Sequence, residues 1–380
     1  MKFVAKTLYG LESVLADELV GLGAGDIEKV NRAVTFSGDK NLLYRVNYCS
    51  RTALSVLMHV ADFMIRSKDD LYREGSKINW DRYLDPDDTF SIVPVVNSAH
   101  FSHTGYPGLI LKDAIADYFR KRFGRRPSVN TTDPRILINL HISNDSVTVS
   151  IDSSVTPLFK RGYRQEQTVA PLNEVLAAGI LLLSGWKASA SLLDPMCGSG
   201  TIPIEAGLLA CNIPPGKLRQ FFGFLKWKDY DAELFDKVKY EADLKIVPSA
   251  VKIWGSDISE KAVVQARANA SMAGLKEVIS LEVADFCNLK ATGDNGFIFF
   301  NPPYGERLLQ NETDNLYNMI GSTLKHSFPG TTAWLITSNK ESLKQVGLKP
   351  AKKYTLFNGA LECILLKYEM YSGTKKIVQL

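Results

Sequence analysis

Hydrophobic and polar positions follow mixed, short-range patterns over the first 160 residues and a regular helix–strand alternation after them. The segments KFVAKT, LESVLADELVGLG, EKVNRAVTFSG and NLLYRVNY predict strand, helix, strand and helix, a small α/β unit within residues 1–50. TALSVLMHVADF (52–63) reads as a helix and TFSIVPVV (89–96) as a strand. From Leu109 a further helix runs into a basic stretch. RILINLHI and SVTVSIDSS alternate on either side of Asn144-Asp145-Ser146 and predict a hairpin. Residues 155–174, VTPLFKRGYRQEQTVAPLNE, are polar, basic and proline-bearing, as a linker would be. Beyond them the alternation of helical and strand periods predicts a parallel sheet with helices on both faces.

With 45% hydrophobic residues the 380-residue chain has core enough for two or three domains without disulfides or a structural metal. Cys49, Cys197, Cys211, Cys287 and Cys363 are scattered with no C-x-x-C pair, which argues for a reducing compartment and against a metal site. No signal peptide is visible after Met1, and no apolar run reaches the ~20 residues that span a bilayer. A cytoplasmic protein is expected. The net charge of +4 excludes a polycation that coats nucleic acid as a whole. Locally, however, Arg120, Lys121, Arg122, Arg125 and Arg126 fall within seven residues, interleaved with Phe119 and Phe123. Such a run is either a solvated helix end that suits the dipole or a phosphate-binding patch.

Four predicted strands end in chemistry. ASLLDPMCGSGT closes a strand at Asp194 and turns through Cys197, Gly198, Ser199, Gly200 and Thr201 into a helix, where glycine admits a ligand to unpaired N–H groups. Pro203 stands where the dinucleotide fingerprint needs its third glycine, and no phosphate-loop lysine is present. In VKIWGSDISEKAVV a strand ends at Asp257-Ile258, with Ser259 as a plausible N-cap. Asp257 therefore either accepts from ribose hydroxyls or serves its helix. ISLEVADF ends at Asp285-Phe286. GFIFFNPPYGER ends a buried strand in Asn301-Pro302-Pro303-Tyr304, where the prolines stop further pairing. This stiff rim offers an amide, carbonyls and an aromatic face to a flat, amine-bearing partner. Polar tips on one carboxyl edge are where open α/β sheets bind ligands, and here they point to a nucleoside-containing cofactor.

DPMCGSGT, GSDIS, ADF and NPPYGER together resemble the AdoMet-dependent methyltransferases that act on exocyclic amines of nucleobases. The N-terminal 160 residues resemble a THUMP domain with its ferredoxin-like companion. RGYR, APLNEVLAAGILLLSGW and the insertion FFGFLKWKDYDAELFDKV are similar to the subgroup that modifies guanine N2 of 23S ribosomal RNA. The resemblance implies an α/β fold, a Rossmann-like seven-stranded methyltransferase domain behind a ferredoxin-like/THUMP α+β RNA-binding region. The expected divisions are 1–50 ferredoxin-like, 51–155 THUMP, 156–172 linker and 173–380 methyltransferase.

By the same resemblance, Asn301 and the Pro302 carbonyl would accept from the target amine, with Pro303 stiffening the rim and Tyr304 stacking on the base. Gly198, Ser199, Gly200 and Thr201 would receive the methionine end of S-adenosyl-L-methionine, Asp257 the ribose, and Asp285 with Phe286 the adenine. Asp194 would anchor the loop or the methionine amine. Cys197 is a small residue in a tight turn before it is a nucleophile. Arg161 and Arg164 of FKRGYR join the basic run as candidate RNA contacts. No metal, membrane or obligate protein partner is implied. Methylation of tRNA guanine or of adenine N6 uses the same rim, and a silent RNA-binding assembly factor is the alternative from another class.

Overall fold

The computed structural model describes residues 1–164, 172–291, 295–303 and 310–371. By proximity the chain divides into two units. Met1–Lys6, Ala16–Leu158 and Arg219–Tyr240 form the first; Thr7–Leu15, Phe159–Leu218 and Glu241–Leu380 form the second.

One sheet organises the first unit. Its strands are β1 (Lys2–Lys6), β2 (Gly25–Val30), β3 (Ala33–Ser37), β4 (Ser55–Met64), β5 (Thr89–Asn97), β6 (Ser128–Val129), β7 (Ile136–Ser143) and β8 (Ser146–Asp152). They run in the order β2-β3-β1-β4-β8-β7-β5-β6, so β1–β3 and β4–β8 share a single sheet through the antiparallel pair β1–β4. Helices α1 (Glu12–Leu22), α2 (Lys40–Cys49), α3 (Lys68–Gly75) and α4 (Tyr106–Phe123) alternate with these strands along the chain. Ile138, Leu140, Ile142, Val147, Val149 and Ile151 alternate into the core on β7 and β8, as the hairpin reading requires.

Two elements differ from the sequence reading. The expected helix at 52–63 is β4, paired on both sides and bulged between His59 and Ala61. Its apolar residues, interrupted by Ser55, His59 and Asp62, show no clear period, and pairing to both β1 and β8 decides in favour of a strand. The expected strand EKVNRAVTFSG is the hairpin β2–β3. It turns at Asn31-Arg32, where Arg32 takes φ +57° and Val30 faces Ala33. No glycine marks that turn. The insertion 219–240 belongs to the first unit, where Phe224 stacks on Phe222 at 5.3 Å and meets Tyr44 at 4.5 Å and Phe235 at 5.0 Å between ring centroids.

The second unit holds α5 (Glu174–Ser184), β9 (Leu192–Asp194), α6 (Thr201–Ala210), the C-terminal end of α7 (Ala232–Asp243), β10 (Ile253–Asp257), α8 (Glu260–Met272) and β11 (Ile279–Val283). It continues through β12 (Phe297–Phe300), α9 (Gln310–Ser327), β13 (Thr332–Thr337), β14 (Lys352–Asn358) and β15 (Leu361–Glu369). Its seven strands run β11-β10-β9-β12-β13-β15-β14. The first five are parallel, and the closing hairpin β14–β15 is antiparallel, as expected, with the turn one residue later than the sequence reading put it, at Gly359-Ala360 after Asn358 pairs with Leu361. Buried on both faces, β12 and β13 are apolar almost throughout, whereas half-exposed strands alternate. Chain order reverses at β9: β10 and β11 are added on one side, β12 and β13 on the other. That switch opens a crevice at the carboxyl ends of β9, β10 and β12.

Candidate active site

The β9–α6 turn forms the floor of the crevice. Cys197 N donates to the Ser256 carbonyl (2.9 Å) and Gly200 N to the Cys197 carbonyl (2.8 Å), which ties the turn to β10 and closes it on itself. Gly200 sits at φ +84° and an added Cβ would stand 3.0 Å from Ala266 Cβ, so only glycine fits as the first half-turn of α6. The Asp257 carboxylate accepts from Gly198 N and from Ser259 N, both at 2.9 Å. It therefore joins two strand tips. The N-cap of α8 is Ser259, which accepts from Ala262 N at 3.4 Å, so the capping duty falls to serine as expected and not to Asp257. Ile258 stands exposed beside it at the mouth of the crevice.

Asn269 is a site residue that the sequence reading passed over. It lies on the buried face of α8 and its Nδ2 donates to the Ser199 carbonyl at 3.0 Å, holding the turn from a third direction. The available signal was an amide on the face that Val263, Ala266 and Ala270 bury. Asp194 is buried at the tip of β9 and accepts from Met196 N at 3.2 Å. Burial pushes its carboxyl well above the usual range, the Met196 hydrogen bond opposes this, and the charge of Asp257 adds to it. Burial and the charges of Asp194 and Asp257 push the Cys197 thiol up as well, the wrong direction for a nucleophile.

Asp285 caps the short turn after β11 by accepting from Cys287 N at 3.0 Å. Phe286 follows it, with its ring in the core, stacked on Phe328 at 5.3 Å and edge-on to Phe300 at 4.9 Å. At the end of β12, Asn301 Oδ1 is buried with no hydrogen-bond partner among the described residues. Pro302 is buried and Pro303 exposed. Tyr304 lies outside the described residues.

Two arginines also require correction. Arg161 is 2% exposed and its Nε lies 3.4 Å from Glu205 Oε1, which Tyr163 Oη also approaches at 3.2 Å. No phosphate reaches a guanidinium buried in this way. Arg164 Nη2 donates to Thr201 Oγ1 at 3.0 Å and lies 3.1 Å from Glu174 Oε1, so it faces the glycine turn, inside the protein. The basic run behaves otherwise. Arg120, Lys121, Arg122, Arg125 and Arg126 are all exposed. Arg120, Arg122 and Arg125 lie 3.1, 3.5 and 2.7 Å from Asp117, Asp81 and Asp87. Exposed pairs of this kind are worth about 0–1 kcal/mol, little enough to be exchanged for phosphate.

The crevice suits a cation. Asp194 and Asp257 stand at its floor, and no basic side chain lies within ion-pair distance of either among the described residues. A sulfonium with an ammonium group fits that acceptor-rich turn, and a polyphosphate does not. No cluster of histidine, cysteine and carboxylates able to hold a metal exists among the described residues. No helix among them is long and apolar enough to cross a membrane.

Comparison with known proteins agrees with this geometry. Residues 161–367 match the RMKL-like methyltransferase domain, residues 66–152 the THUMP domain and residues 2–57 the RlmL ferredoxin-like domain. The chain belongs to the RMKL-like methyltransferase family. This family member is 38% identical over 375 residues to slr0064 of Synechocystis sp., provisionally named an RNA methyltransferase, covering 97% of each chain. It is also 38% identical over 385 residues to the ribosomal RNA large subunit methyltransferase K/L of Syntrophotalea carbinolica, and covers 97% of this chain but 54% of that relative. The crystal structure of SMU.472 complexed with SAH superposes with a TM-score of 0.88 at 31% identity, covering 98% and 99% of the two chains. S-adenosyl-L-methionine is the cofactor of this methyltransferase.

Proposed function

We propose that this methyltransferase modifies N2 of a guanine in RNA, with large-subunit (23S) ribosomal RNA as substrate, in the cytoplasm. The observation that carries the reading is the orphaned Oδ1 of Asn301 at the tip of β12, beside the turn that receives the cofactor. A buried acceptor without a partner is a cost that a bound N–H group removes. Gly198, Ser199, Asp257 and Asp285 are the residues assigned to hold the cofactor, which supplies an electrophilic methyl group on sulfur when bound. The chain's own task is alignment. Asn301 Oδ1 and the Pro302 carbonyl accept from the two hydrogens of the exocyclic amine, which turns its lone pair towards the methyl carbon and stabilises positive charge growing on nitrogen. The cofactor's sulfonium would release that methyl to the amine, whose extra proton would leave to water. No strong general base is needed, and Tyr304 would complete the rim by stacking on the base, worth roughly 1–3 kcal/mol.

An RNA substrate is supported by the THUMP match and by the names of the relatives. The test is mass spectrometry of nucleosides from ribosomal and transfer RNA of a strain lacking the gene, complemented with the wild type or with Asn301→Ala. Loss of one N2-methylguanosine from large-subunit RNA, restored only by the wild type, is the expected result. A lost N6-methyladenosine, or a mark lost only from tRNA, would replace the substrate. An unchanged set of modifications would favour the assembly-factor alternative.

A further inference from the structure

Three of the four residues from 198 to 201 are each held by a different element. Asp257 takes the N–H of Gly198, Asn269 donates to the carbonyl of Ser199, and Arg164 donates to the hydroxyl of Thr201. The first two belong to the sheet and to α8, inside the crevice. Arg164 comes from the segment that precedes α5. Its Nη2 also reaches the Leu172 carbonyl (3.3 Å) and Glu174 Oε1 (3.1 Å), so one guanidinium joins the first residue of α5 to the first residue of α6. One turn along α6, Glu205 meets Arg161 and Tyr163 from the same segment. Thr201 and Glu205 are four residues apart and share a helix face.

We propose that Arg164 is a positioning residue for the cofactor: by fixing Thr201 it sets where the N-terminus of α6, and with it the glycine turn, stands against β10. The turn needs such a restraint. Gly198 and Gly200 have no side chains to pack, both sit at positive φ, and α6 has no side-chain N-cap. All three acceptors stand against one guanidinium nitrogen, Nη2, whose direction is fixed by the plane of the group, whereas an ammonium on a flexible stem turns freely. Arg164 and Glu174 are 14% and 7% exposed, so solvent does not readily replace either partner. The inference rests on AdoMet binding at this turn and not on which base is methylated.

The test is a double-mutant cycle of cofactor binding, read by calorimetry on the full chain without RNA. Arg164→Ala should weaken AdoMet by roughly tenfold to a hundredfold, the span of hydrogen bonds to charged groups. Thr201→Val should weaken it too, and the double variant should be no weaker than Arg164→Ala alone, because both changes break one link. Arg164→Lys should be intermediate and carries the cycle if the alanine variant does not fold. Thermal melts without cofactor separate the positioning effect from loss of fold. AdoMet affinity within twofold of wild type, or strictly additive losses, would overturn the proposal. Unchanged AdoMet binding with weaker RNA binding and a shallower salt dependence would return Arg164 to phosphate contact. If wild type itself binds no AdoMet, the cofactor assignment is what fails.

Discussion

Asn301→Ala separates stability from chemistry. In the free protein the Oδ1 of Asn301 is buried without a partner among the described residues, a condition that costs roughly 1–3 kcal/mol. Truncation removes that cost along with some packing, so the variant should melt no lower than the parent. The side-chain hydrogen bonds to the glycine turn come from Asp257, Asn269 and Arg164, and none involves position 301. AdoMet affinity should therefore stay within about threefold, less than ~1 kcal/mol. Methyl transfer should suffer alone. Removing one aligned hydrogen-bonding group from a dry site typically costs about 2.7–4 kcal/mol, a hundredfold to a thousandfold in rate. Single-turnover transfer of labelled methyl to RNA, run beside calorimetry and a thermal melt, measures all three quantities. A lower melting temperature would make Asn301 a structural residue, and parallel loss of AdoMet binding would make it a cofactor ligand. Transfer within tenfold of wild type would remove the amine-aligning role.

Asp194 predicts a pH dependence. Its folded pKa is raised above the unfolded value, so its contribution to stability is full below roughly pH 4, where an unfolded aspartate titrates, and is lost as pH rises through the folded value. Asp194→Asn stays neutral and should melt near wild type at pH 4 and above it at pH 8 in melts without AdoMet; a difference that does not change with pH would mean that charge is not the cause. Neutralising Arg122, Arg125 and Arg126 together should leave AdoMet binding intact and flatten log affinity for RNA against log salt by roughly 0.7–0.9 for each phosphate no longer neutralised. An unchanged slope with normal methylation would assign the run to solubility.

The sequence by itself determined the four strand tips at Asp194, Asp257, Asp285 and Asn301, because apolar runs, glycine turns and the proline stop are local features with local causes. It also carried the Ser259 cap and the β14–β15 turn. Segments 28–38 and 52–63 were not legible. A turn without glycine gives no mark, and a mostly apolar stretch without a clear period suits a helix or a strand until neighbours on both sides supply hydrogen bonds. Only the tertiary structure decided which charges face water. Arg161 and Arg164 read as candidate RNA contacts, yet Glu205 and Glu174, placed on helices α6 and α5, take them into the protein. Asn269 holds the glycine turn from α8, and the Phe286 ring lies in the core, for the same reason. A side chain's partners are set by packing between elements, and spacing along the chain does not encode them.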